Sequence, residues 1–167
     1  MQTITTVLQA MLDYYRGDAK RISHFLKVHS LAKLIGELER LDAATQEILE
    51  IAALTHDIGI KNSELRYQSS AGHYQQLEGP PEAQKLLQRL AIDPAVIERV
   101  CWLIAHHHTY HAITGADYQI LVEADFLVNI FEDQMTDAAI RSVREKIFVT
   151  GSGRHLLETM YAAAFSR

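Results

Sequence analysis

Apolar residues recur along this chain at intervals of three and four, and nowhere do apolar and polar residues alternate as in a half-buried strand. That confines the chain to an all-α fold, a single-domain helical bundle of about seven to eight helices. Ile4, Val7, Leu8, Met11 and Leu12 line a first helix that Gly17 can stop. Asp18 is placed to cap a second, from about Lys20 to Leu41, with Ile22, Leu26, Val28, Leu31, Leu34, Ile35 and Leu38 as its apolar positions. Asp42 can cap a third that runs through Ile48, Leu49, Ala52 and Ala53 to His56-Asp57-Ile58-Gly59. Pro80-Pro81 is expected to open a fourth. Asp93-Pro94, a cap followed by proline at the first helical position, opens a fifth that ends in His106-His107-His108. A sixth is expected over Asp117 to Glu132, a seventh from the cap Thr136 to about Val149, and an eighth after Gly153. Residues 60–79 are polar and weakly periodic. They read as a long connection and, following His56-Asp57 directly, as a functional one.

Composition narrows the chemistry. The 167 residues are 48% hydrophobic, enough for a sizeable core, and the formal charge is −5, with 16 Lys and Arg dispersed among 21 Asp and Glu. No basic face for nucleic acid is evident, so a nucleic-acid duplex is not an expected partner. Nor is a membrane, because no apolar run approaches the roughly 18–20 residues a span needs. The first residues lack a basic segment followed by an apolar one, so a cytoplasmic location is expected. A single cysteine excludes an internal disulfide and a zinc site of paired thiolates. Cys101, mid-helix, is expected to be an inert core residue. Nine histidines remain, so a metal here would sit among imidazoles and carboxylates.

Several of these groups fall on inward faces. Asp125 lies among Leu121, Ala124, Leu127 and Val128, and a carboxylate there needs a cation, either Arg or Lys from another helix or a metal. His24 shares its face with Val28, Leu31 and Ile35. His29, about 140° round the helix, is expected at the surface or behind the site. An aspartate at a helix C-terminus opposes the dipole unless a cation compensates, which makes the His56-Asp57 pair informative. His107 and His108 share stripes with Val100, Leu103 and Ile104, whereas His106 falls outside. His24, His56, Asp57, His107, His108 and Asp125 thus lie on four helices, the way metal sites are assembled in helical bundles. Nitrogen and carboxylate donors suit Fe, Mn, Ni, Co or Zn, as one or two divalent ions.

In order and spacing these residues resemble the HD superfamily of metal-dependent phosphohydrolases. The first histidine lies in Arg21-Ile-Ser-His24-Phe-Leu-Lys-Val28-His-Ser-Leu-Ala32, the pair in His56-Asp57-Ile58-Gly59, the double histidine in His107-His108, and the last aspartate in Glu123-Ala124-Asp125. The resemblance covers residues 18–133 and leaves 134–167 as structural helices. Two departures stand out. Relatives with two metals carry a further histidine before the double one; here His73 or Glu78 stands in its place. Relatives also carry Lys directly after the Gly, whereas here Ile60 intervenes before Lys61.

The resemblance implies hydrolysis of a phosphoester, with a nucleotide as the expected substrate, by water that a divalent metal activates. His24, His56, Asp57 and Asp125 would hold the metal. Asp57 would bridge to a second at His107 and His108. Lys61 and Arg66 in the polar segment are the expected catalytic and phosphate-binding cations, and Asn129 is a substrate contact. The resemblance carries two alternatives: a mixed-valent di-iron oxygenase, the chemistry of a minority of the superfamily, and a non-catalytic nucleotide-binding signalling module.

Overall fold

A computed structural model describes residues 2–166, and these form ten helices with no strand among them. In chain order they are α1 (Gln2–Tyr14), α2 (Ala19–Leu38), α3 (Ala43–Thr55), α4 (Ile60–Tyr67), α5 (Gly72–Arg89), α6 (Pro94–His106), α7 (Ala116–Glu132), α8 (Asp137–Lys146), α9 (Gly151–Met160) and α10 (Ala162–Phe165). The expected caps are in place. Asp42 accepts from the N–H groups of Ala44 and Thr45, Asp93 from Ala95, Asp18 from Arg21 and Thr136 from Ala139, each satisfying an orphan donor of a first turn.

α3 is the axle. Every side chain from Leu49 to Thr55 is buried, the signature of a helix surrounded by others, and α1, α2, α6 and α7 pack round it. α5 lies along α6 and carries α4, while α8, α9 and α10 form a C-terminal group that joins α7 and α2 through α9. α2 buries Phe25, Val28, Ala32 and Ile35, but Leu26, Leu34 and Leu38, expected on its apolar face, are exposed. Its buried stripe is narrower than its leucine content suggests.

Two expectations are corrected. Pro80-Pro81 does not open a helix; both prolines lie inside α5, which begins eight residues earlier at Gly72. Their missing N–H groups leave the carbonyls of Gln76 and Leu77 without helical donors. Leu77 is itself exposed, so water can serve there. Residues 60–79 are likewise not a long connection: α4 and the first half of α5 occupy most of them. α4 has almost no apolar face. It buries only Ser63, whose hydroxyl donates to the Gly59 carbonyl, and it is held by packing on α5.

Glu123, fully buried on α7, has no Lys or Arg partner among the described residues. It accepts from the backbone N–H groups of Val149 (2.7 Å) and Thr150 (2.9 Å), from the Thr150 hydroxyl and from the Gln119 carboxamide. Thr150 caps α9, so this carboxylate sits where the helix dipole favours negative charge and fastens the C-terminal helices to α7. Gly153 is required beside it, because a Cβ there would collide with the carboxylate.

Candidate metal centre

α3 and α6 end in the same device. The last carbonyls of a helix lack intrahelical donors. His56 and His107, each the residue that closes its helix, supply one. The Nδ1–H of His56 donates to the Ala53 carbonyl at 2.9 Å, and that of His107 to the Ile104 carbonyl at 2.8 Å. With Nδ1 protonated, each Nε2 presents a lone pair beyond the end of its helix. On α2, His24 donates its Nδ1–H to the Glu132 carboxylate at 3.0 Å, which leaves its Nε2 free in the same way. Hydrogen bonds of this kind fix the tautomer and aim the ring of a metal-ligating histidine.

These lone pairs converge. His24 Nε2 lies 3.2 Å from His56 Nε2, and Asp125 Oδ1 lies 3.3 Å from the first and 3.5 Å from the second. Asp57 Oδ2 is 3.4 Å from His24 Nε2 and 3.6 Å from His56 Nε2, while its Oδ1 turns the other way, 3.5 Å from His107 Nε2. Two lone-pair nitrogens cannot rest so close to each other and to two carboxylates unless a proton or a cation sits between them. Among the described residues the buried Nε2 of His107 has no hydrogen-bond partner, which asks for the same remedy. The donors therefore fit a divalent ion. His24, His56 and Asp57 form one group able to hold it, with Asp125 at hand, and Asp57, His107 and His108 form a second.

Without a metal, protons must serve. Burial disfavours a charge on His56, but the carboxylates of Asp57 and Asp125 outweigh it and push the imidazole up to about 9. Burial opposes ionisation of Asp57 and Asp125 too, and their histidine partners overcome it and hold both carboxyls well below the usual range. The histidine contribution to stability is thus complete below about pH 6.5 and lost as pH rises through about 9. The carboxylate contribution is complete above about pH 4 and lost on further acidification. Metal-free protein should accordingly be most stable between about pH 4 and 6.5 and lose on the order of 2–3 kcal/mol by pH 9. Thermal unfolding in chelator across that range checks the sign; a midpoint that rises from pH 6.5 to 9 contradicts it.

Other site candidates lie elsewhere. His29 pairs with Glu50 at 3.0 Å, and His106 stacks on Trp102 at 4.1 Å, both away from the cluster. Exposed His73 packs on the Tyr74 ring. Glu78 is buried, and its carboxylate receives Arg66 at 3.1 Å and the Tyr67 hydroxyl at 2.9 Å. The Lys61 ammonium lies over the Tyr14 ring, 5.2 Å from its centroid. Cys101 is half-buried, its thiol 3.4 Å from the Pro80 carbonyl. Asn129 does line the cleft above the cluster, together with Arg21 and Lys20. Glu132 escaped the sequence reading, although it lies seven residues beyond Asp125, two turns along the same face of α7. Replacing it, as Glu132→Gln, is expected to weaken metal binding about 10- to 100-fold by releasing His24, as measured by metal titration; unchanged affinity would remove Glu132 from the site.

The turn that carries Asp57 is pinned from outside: the Tyr15 hydroxyl donates to the Asp57 carbonyl at 2.8 Å, and Tyr14 to the Ile58 carbonyl at 3.4 Å. The family description "HD domain" matches residues 21–148, which span every residue of the cluster. The chain belongs to the HD domain family. A similar HD fold occurs in the crystal structure of a predicted HD superfamily hydrolase from an uncultured Thermotogales bacterium. The two chains share 26% identity with a TM-score of 0.68, over 95% of this chain and 85% of the other. No curated protein matches the sequence. Among the described residues, no helix of this HD protein is long and apolar enough to cross a membrane.

Proposed function

We propose that this protein is a metal-dependent phosphohydrolase that cleaves a small phosphoester of the nucleotide class. The observation that carries the reading is the placement of Asp57: it stands in a cleft of about 280 Å³ with its two oxygens turned to different imidazoles. His24, His56, Asp57 and Asp125 would hold a divalent ion, which when bound lowers the pKa of a water toward ~7 and polarises a phosphoryl oxygen.

The chain's own groups do the rest. Asp57 stays ionised and would hold the ion through its carboxylate. An anionic substrate of an acidic protein needs local positive charge, and in this cleft Arg21 and Lys20 offer it. The Arg21 guanidinium is held by Asp18 at 2.6 Å and Glu64 at 2.5 Å and lies over the Tyr15 ring, so it is pre-aimed at the cleft. Lys61, over the Tyr14 ring, and Arg66, paired with Glu78, do not line this cleft, and the reading rests on Arg21 and Lys20 instead. Asn129, one turn beyond Asp125, offers a carboxamide to the leaving group.

The test is phosphate release from nucleoside mono- and diphosphates by protein loaded with Mn, Fe, Co, Ni or Zn, with and without oxygen. Release that persists anaerobically supports hydrolysis. Turnover that requires oxygen assigns the cluster to oxygenase chemistry, and tight nucleotide binding with no product assigns it to a binding module.

A further inference from the structure

His108 differs from the other three histidines. Its Nε2 faces the Gln75 side-chain oxygen at 3.3 Å, and its Nδ1 faces the Tyr110 hydroxyl at 3.3 Å. The Gln75 carboxamide is not free to turn over, because its Nε2 donates to the Ser70 carbonyl at 2.6 Å and so directs Oε1 at His108. An amide oxygen only accepts. His108 therefore carries its proton on Nε2, the tautomer opposite to that of His24, His56 and His107. The nitrogen that faces inward in those three is here blocked by hydrogen.

This arrangement is built into the packing. α5 crosses the turn after Asp57 where two glycines meet: a Cβ at Gly59 would lie 2.6 Å from the Gly79 nitrogen and 2.7 Å from the Gln75 carbonyl oxygen. One turn earlier, a Cβ at Gly72 would lie 2.8 Å from the His108 ring. The close crossing fixes the register of α5 and with it Gln75, which is 7% exposed.

We propose that Gln75 is a latch on His108: it keeps the group Asp57, His107 and His108 from taking an ion as readily as the group His24, His56, Asp57 and Asp125, so the protein holds one divalent ion tightly and a second only weakly. This rests on the metal reading of the centre, and the experiment separates the two. The unaltered chain, Gln75→Glu and Gln75→Met are dialysed against micromolar Mn(II), checked for helical content by circular dichroism, and analysed for bound metal and for the exchange-coupled paramagnetic signal of a bridged pair.

The expected result is one Mn per chain without coupling in the unaltered protein, and two coupled ions in Gln75→Glu, where a carboxylate replaces the accepting amide. In Gln75→Met, which removes the acceptor and adds no oxygen ligand, the second ion is expected to bind about 3- to 10-fold more tightly, the value of one neutral hydrogen bond. Two tightly held ions in the unaltered protein overturn the latch and leave the metal reading standing. So does a single ion in Gln75→Glu. Weaker second-ion binding in Gln75→Met also overturns it, by making Gln75 a ligand. No bound metal in any of the three overturns the metal reading itself.

Discussion

Asp57→Ala is expected to empty the centre of metal and to lower phosphoester turnover by on the order of 10³-fold, with the helical circular-dichroism spectrum unchanged. The size follows from what is lost. Polarising a phosphoryl oxygen and activating a water together supply several kcal/mol, and each 1.36 kcal/mol is tenfold in rate. That the fold survives follows from how the turn is held. Tyr15 grips the Asp57 backbone carbonyl, not its carboxylate, and the side chain takes no part in the apolar core. Asp133→Ala, at an exposed position just past α7, is the matched control and should retain full rate and metal content. Metal analysis and initial rates on the two variants decide the matter; an Asp57→Ala protein that retains its turnover removes the centre from the chemistry.

Chelation is expected to lower the melting temperature by roughly 8–16 °C at pH 8. An ion present at about a thousand times its dissociation constant adds some 4 kcal/mol to the folded state, and for a chain of this length each kcal/mol moves the midpoint about 2–4 °C. The shift should shrink toward pH 5.5, because protons there compete for His24 and His56 and themselves bridge the cluster to its carboxylates. Scanning calorimetry of loaded and stripped protein at both pH values tests this. Identical midpoints at pH 8 would mean that no ion is bound with useful affinity.

Much of the architecture was legible in local signals. Asp18, Asp42, Asp93 and Thr136 mark helix starts because a cap acts within three residues of itself. The inward faces bearing His24, His107 and Asp125 followed from the 3.6-residue period, and the structure brings all three beside His56 and Asp57. What local signals miss is any feature set by a partner on another helix. α4 forms because α5 packs on it, so its own residues read as a connection. Lys61 and Arg66 looked free for phosphate because Tyr14 and Glu78, which engage them, lie 47 and 12 residues away in the chain. Gln75 was silent for the same reason: nothing about a glutamine in a polar stretch announces that a distant imidazole faces it. Arg21 was read only as part of a spacing, and its place at the cleft appeared once Asp18 and Glu64 were seen to hold it.

The carboxylate of Glu123 gives the chain's tail a share in the centre. Similarity to the family stops at residue 148, and the backbone donors to Glu123 begin at Val149. A chain trimmed at the similarity boundary would leave this buried carboxyl group with Gln119 but without its donors from Val149 and Thr150, two residues from Asp125. The smallest piece able to fold cooperatively is therefore longer than the piece that sequence comparison outlines, and a protease cut in the Phe148–Thr150 segment should silence the metal site from a distance.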